Sequence, residues 1–240
     1  AAQAAERGLI DAVAYPDEDR KLWEERLGGE PREADLMAYA RLRRILRRLP
    51  ALRSKPAVIA VVHLDGPVVE RRAQMPRKRR VIASDEVVDT IDRLAEQDSV
   101  KAVVLAVNSP GGSALASDLI ARSVQALDDR KPVVAVMGNV AASGGYWVST
   151  PGDVIFAEPD TITGSIGVFG ILPSFEGTLA KMGITTDGVR TTPLSGQPDL
   201  AGGTTPEFDQ IMQLGVEDIY RRFVGLVAQS RKKTPEQIDR

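Results

Sequence analysis

The chain contains no cysteine, which excludes a disulfide framework, a cysteine nucleophile and thiolate metal ligation while leaving the compartment open. It has a single histidine, His63, so a metal site built from several histidines is excluded as well. No apolar run approaches the roughly 18 residues of a membrane-spanning helix, and the stretch from Ala1 lacks the basic and apolar regions of a signal peptide. Any targeting or anchoring segment is therefore expected outside this chain. Charge of one sign is also lacking: 31 Lys and Arg stand against 33 Asp and Glu, a net charge of −2. Nothing draws the chain to nucleic acid, and the basic stretches Arg41–Arg48 and Arg71–Arg80 read as solvated faces.

What is present is ample material for a core, with 43% hydrophobic residues in 240, enough for one large domain or a medium domain with an appendage. Three short apolar runs, Ala102–Val107, Val133–Met137 and Val154–Ala157, have the length and Val/Ile content of buried strands. Each ends in a turn of small residues. Ala57–Leu64 reads as a further buried strand, closed by the turn residues Asp65, Gly66 and Pro67. Between these runs lie helical patterns. Ser84 is an N-cap candidate with Asp85 and Glu86 in the first turn and Val87, Ile91 and Leu94 on one face. A second helix carries Leu115, Leu119, Ile120, Val124 and Leu127, and a third follows Ser143; Phe175–Met182 and Pro206–Gln229 read as helices farther on. This βαβ alternation predicts an α/β fold with a mostly parallel sheet and ligands outside the carboxyl ends of its strands.

The amino-terminal quarter reads differently. Ala1–Ala14 is Ala-rich like the end of a helix, and Pro16–Arg32, charged and carrying Gly28, Gly29 and Pro31, reads as a linker. Glu33–Leu49 places Leu36, Tyr39, Leu42, Ile45 and Leu46 at helical spacing up to Pro50, predicting a helix that packs on a neighbouring domain or lies on a membrane surface.

The candidate chemistry gathers at the strand ends. Ser143, in A-A-S-G-G, has small neighbours that let a substrate backbone approach, and reads either as a nucleophile or as a helix N-cap. Gly111 and Gly112, in N-S-P-G-G, follow the preceding strand, where an N–H could join that of Gly144 in an oxyanion hole; alone they are a good turn. Ser165, in T-G-S-I-G, is placed at the end of the third strand, to orient a base or cap a helix. No histidine follows Ser143 and Ala141 stands where a nucleophile elbow needs glycine, so the α/β-hydrolase triad is excluded. The remaining base is a lysine made neutral by burial, far below its usual pKa of about 10.4. Lys101, Lys131, Lys181, Lys232 and Lys233 lie at element edges or in polar runs, and none has that setting.

V-N-S-P-G-G-S, M-G-N-V-A-A-S-G-G-Y-W, T-G-S-I-G-V-F-G, G-I-T-T-D-G-V-R-T-T-P-L-S and R-R-F-V-G-L-V-A followed by T-P-E-Q-I-D together resemble the bacterial signal peptide peptidase A family. These are serine proteases of a Clp-protease/crotonase-like fold, and the likeness is to the double-length form made of two tandem repeats. The resemblance implies that residues 1–32 are the end of a first repeat and a linker, 33–55 a linker helix, and 56–240 most of the second repeat, cropped at its end. It implies that Ser143 is the nucleophile, that amides at Gly111 or Gly112 and Gly144 form the oxyanion hole, and that Ser165 orients the catalytic lysine. In single-repeat members that lysine falls in the region matching Val189–Gly196, which has none here, and Arg190 stays protonated. The double-length form takes it from the first repeat. The resemblance further implies no cofactor or metal, signal-peptide remnants as substrate, a homo-oligomer (a tetramer), and a place on the periplasmic side of the bacterial inner membrane. Two other readings are a peptide-binding scaffold with an idle Ser143 and, less favoured, a crotonase-type acyl-CoA enzyme.

Overall fold

The structure is a computed structural model that describes residues 2–8, 12–13, 33–35, 56–72 and 80–239. Its strands are β1 (Ala12–Val13), β2 (Glu33–Asp35), β3 (Val58–Asp65), β4 (Val68–Val69), β5 (Ile82–Ala83), β6 (Val100–Ser109), β7 (Val133–Ala142), β8 (Val154–Ala157) and β9 (Ile162–Gly164). The helices are α1 (Ala2–Glu6), α2 (Ser84–Ala95), α3 (Ala114–Asp128), α4 (Gly144–Ser149), α5 (Glu176–Lys181), α6 (Pro206–Arg231) and α7 (Pro235–Ile238). They fall into two compact units, one of Ala1–Ile166 with Gly225–Arg240 and one of Gly167–Val224.

The first unit is built on a sheet in the order β1-β8-β7-β6-β3-β2, with β9 added beside β7 and every described pairing parallel. β4 and β5 form a separate parallel pair. Central strands of a covered parallel sheet must be apolar on both faces, and Ala102–Val107 of β6 and Val133–Met137 of β7 are. One face carries a cluster of Ile59, Ala102, Val134, Val154 and Phe156. Val103, Leu105, Val133, Ala135 and Ile155 alternate with these residues and are also fully buried. Burying each such branched side chain contributes about 1.5–3 kcal/mol, so the sheet centre is the rigid platform from which the strand ends project.

The four runs read as strands are strands, but two are longer than their apolar segments. β6 continues to Ser109 and β7 to Ala142, through Gly138 and Asn139, which interrupt the apolar pattern. The register shows how: Val107 pairs with Met137 and Ser109 with Ala141, so four steps of β7 lie against two of β6 in a bulge.

Four expectations are corrected. Glu33–Asp35 begins the expected linker helix but pairs in parallel with β3, and the remainder of that segment lies outside the described residues. Ser84 is the first residue of α2, with Ala83 at the N-cap, and its hydroxyl donates to Glu70 O at 2.9 Å. Leu115 and Leu119 are not on the buried face of α3, where Ala116, Ile120, Val124 and Leu127 lie; they are 58% and 44% exposed and line a groove of about 620 Å³ with Val88 and Ala126. Helical spacing admitted both sets of positions, and the small residues Ala116 and Ser117 let α3 approach α4 on the other side. Ser165 follows not the third run, β8, but the separate strand β9.

In the second unit α5 and the first part of α6 stand where helical spacing placed them. Phe169, Ile171 and Val189 are largely exposed there.

Candidate active site

Ser143 stands between β7 and α4 with φ 51° and ψ −120°, a backbone conformation that a residue with a Cβ adopts only at a cost of roughly 1–3 kcal/mol. Its neighbours hold it there. Ser143 N–H donates to Gly164 O at 2.9 Å, and Ser143 O accepts from Trp147 N–H at 2.9 Å, closing the first turn of α4. Every residue of α4 is buried, so the turn is anchored by Tyr146 and Trp147 while Ser143 itself remains half-exposed. Its hydroxyl takes no hydrogen-bond partner among the described residues, and the N-cap reading is not met: α4 has no side-chain cap.

The two glycine segments meet at this serine. A Cβ on Gly111, which has φ 97°, would lie 2.6 Å from Gly144 N and 2.8 Å from Ser143 Cβ. A Cβ on Gly144 would run into Ser117 Oγ and come within 3.2 Å of Gly112 N. Two backbone segments therefore converge where no further side chain fits. Their amides differ. Gly111 N–H donates to the buried Ser109 hydroxyl at 3.1 Å and is spent. Gly112 forms a parallel bridge with Val68, in which Val68 N–H donates to Gly111 O and Ser113 N–H to Val68 O, both at 2.9 Å; the N–H of Gly112 is left pointing away from that strand. Gly112 is exposed and Gly111 buried. Among the described residues neither Gly112 N–H nor Gly144 N–H donates to a protein acceptor. Of the glycines named from sequence, Gly112 and Gly144 can thus offer donors to a negatively charged oxygen beside Ser143, and Gly111 cannot.

Ser165 lies on the other flank. The last registered pair of β7 and β9 is Ala142 with Gly164, which puts Ser143 and Ser165 at the next positions, and Ser165 has φ 49°. It is exposed. His63 is exposed on β3, in register with Ala106, and the strand spacings put it roughly 15–20 Å from Ser143.

The described lysines of the first unit fall elsewhere. Lys131 Nζ donates to Leu94 O and Gln97 O at 2.6 and 2.7 Å, and burial lowers its pKa, yet it precedes β7 while Ser143 follows it, about 30 Å along the strand. Lys101 is exposed at the start of β6, and Lys233 Nζ lies beside Gly8. Lys181 is exposed in the second unit, where Arg190 pairs with Asp199 at 3.4 Å. Among the described residues no group of His, Asp and Glu is arranged to hold a metal ion, and no helix is long and apolar enough to cross a membrane.

Sequence reading missed Ser109, Ser117 and Val68, which hold the glycine loop in place. Ser109 and Ser117 are fully buried. The only signal was the motif N-S-P-G-G-S itself, which reads as a turn until the hydroxyl of Ser109 is seen to take the amide of Gly111.

Residues 125–240 match the model of peptidase family S49. Protease 4 of Salmonella typhi is 39% identical over 238 residues, 99% of this chain and 37% of that protein. The chloroplastic serine protease SPPA of Arabidopsis thaliana is 28% identical over 239 residues, 98% of this chain and 35% of that protein. A ClpP1 variant from Listeria monocytogenes is similar in structure, with a TM-score of 0.46 and 15% identity over 75% of this chain and 76% of that one. The chain spans little more than a third of the length of these two curated relatives. With a peptidase S49 match over its carboxyl half and near-complete alignment to Protease 4 and SPPA, the chain belongs to the signal peptide peptidase A family.

Proposed function

We propose that this chain carries the nucleophile and oxyanion hole of a serine peptidase that works through a Ser/Lys dyad. The observation that carries the reading is the conformation of Ser143, held at φ 51° beside two amides, of Gly112 and Gly144, that have no protein acceptor. Strain of this kind is retained where surrounding structure enforces it, and here it lifts a hydroxyl out of a buried turn.

In the reaction Ser143 Oγ attacks the scissile carbonyl carbon and its proton passes to a neutral lysine amine. Charge on the carbonyl oxygen is met by the N–H groups of Gly112 and Gly144, already aimed there before reaction. As the tetrahedral intermediate collapses, the lysine gives its proton to the departing amine and an acyl ester remains on Ser143. Water, activated by the same lysine, hydrolyses it. The lysine is supplied from outside the described residues by a first repeat, and the exposed hydroxyl of Ser165, next to Ser143, orients it.

The substrates are remnants of cleaved signal peptides, apolar and extended, bound as an added strand. The whole protein works as a homo-oligomer, a tetramer, at the periplasmic face of the bacterial inner membrane through a segment outside this chain, with no cofactor. A fluorophosphonate probe tests the reading: it should label Ser143 in the full-length protein and abolish peptide hydrolysis, whereas an unlabelled Ser143 would favour a peptide-binding scaffold.

A further inference from the structure

The bulge in β7 raises the question of what fixes it. Across it the ladder to β6 is interrupted, and the N–H of Val140, three residues before Ser143, donates instead to Asn108 Oδ1 at 3.3 Å. Gly138 packs beside Asn108, where an added Cβ would lie at an ordinary contact distance of 3.5 Å from Asn108 Cβ. On the other side the bulge is tied by Thr161 Oγ1 to Gly138 O at 2.8 Å and Thr163 Oγ1 to Ala141 O at 2.9 Å.

An amide could present either end to Val140. Its orientation is decided by Asp65, the registered partner of Asn108 on β3: Asn108 Nδ2 donates to Asp65 Oδ1 at 3.1 Å. A carboxylate only accepts, so it holds the amide nitrogen toward β3 and the amide oxygen toward Val140. Asp65 is kept ionised by Arg80, whose Nη1 donates to Asp65 Oδ2 at 2.6 Å, and His63 is the other titratable group facing it among the described residues. Asn108 is exposed, so no need of core packing accounts for it.

We propose that Asn108, oriented by Asp65, is a positioning residue for the reaction, fixing the β7 bulge and so the direction in which Ser143 leaves the strand toward Gly112 and Gly144. This rests on Ser143 being the nucleophile. Asn108 touches no reacting atom; it acts through Val140 and the two residues that follow.

The test uses the full-length protein with Asn108→Leu, Asn108→Asp and Ser143→Ala, measuring kcat and KM for an apolar peptide and the rate of fluorophosphonate labelling. Asn108→Leu is expected to lower kcat and the labelling rate together by about 10- to 100-fold, because a displacement of about 1 Å is enough for that, while KM changes little. Asn108→Asp keeps the shape and keeps the test open if the leucine variant does not fold. Its carboxyl can still accept from Val140, but beside Asp65 the pair is stable only while it shares one proton. Its kcat relative to wild type should therefore be highest in acid and fall as pH rises and the second carboxyl ionises. Wild-type kcat in Asn108→Leu, or a deficit in Asn108→Asp that is independent of pH, overturns the inference. If Ser143→Ala is inactive and Asn108→Leu is normal, only this inference falls; if Ser143→Ala retains activity, the nucleophile reading falls and takes this one with it.

Discussion

Ser143 and Ser165 stand at adjacent positions just beyond the last registered pair of two parallel strands, and both have a positive φ, 51° and 49°. Two non-glycine residues with positive φ at neighbouring strand ends are a local cost that the surrounding structure enforces. The amide of Ser143 donates to Gly164 O, so the two strained turns are joined by one hydrogen bond.

Relief of that strain should be measurable. Ser143→Gly removes the Cβ at φ 51° and is expected to raise stability by about 1 kcal/mol, seen as a melting temperature about 2–4 °C higher, while removing the reactive hydroxyl. A lower melting temperature would show that the hydroxyl or Cβ makes a stabilising contact there.

The glycine loop should be intolerant in a graded way. Gly112→Ala puts a methyl group against Val68 O at φ 155° and is expected to cost about 1–3 kcal/mol by denaturant titration, with kcat falling far more than KM as its amide is displaced. Ser109→Ala frees the Gly111 amide and should lower kcat less. Equal activity in Gly112→Ala and wild type would remove Gly112 from the oxyanion hole.

His63→Ala should leave kcat/KM close to wild type, since His63 is exposed on β3 and lies well beyond hydrogen-bond reach of Ser143. A large loss of kcat with an unchanged melting curve would restore a histidine mechanism.

Lys131 should matter for stability and not for turnover. It caps the carboxyl end of α2 through Leu94 O and Gln97 O, so Lys131→Met is expected to cost about 1–2 kcal/mol without changing kcat. Burial lowers its pKa in the folded chain, so the unfolded chain binds more protons between the folded and unfolded pKa values. The contribution of Lys131 therefore rises with pH as it climbs through the folded pKa toward 10.5, and the gap between wild type and Lys131→Met should widen there. A gap that narrows with alkaline pH would contradict the sign.

The sheet was legible because buried parallel strands are written as continuous Val/Ile runs, and β3, β6, β7 and β8 are such runs. The ends of β6 and β7 were not. Gly138 and Asn139 look like strand breakers, and only a partner side chain, Asn108, shows how the strand continues past them. Ser143, Gly112 and Gly144 were legible as small-residue turns after strands. What no local pattern could separate was Gly111 from Gly112, because adjacent glycines differ only in what their amides face. Leu115 and Leu119 misled for a related reason: helical periodicity gives a stripe, and the neighbour that covers it is a tertiary fact.

The most direct test of the account is mass-spectrometric mapping of a fluorophosphonate adduct on the full-length protein, with peptide hydrolysis followed in the same samples. A single adduct on Ser143 is expected, formed at the rate at which hydrolysis is lost, with neither labelling nor hydrolysis in Ser143→Ala. An adduct on another serine that tracks the loss of activity, or hydrolysis that survives in Ser143→Ala, would contradict it.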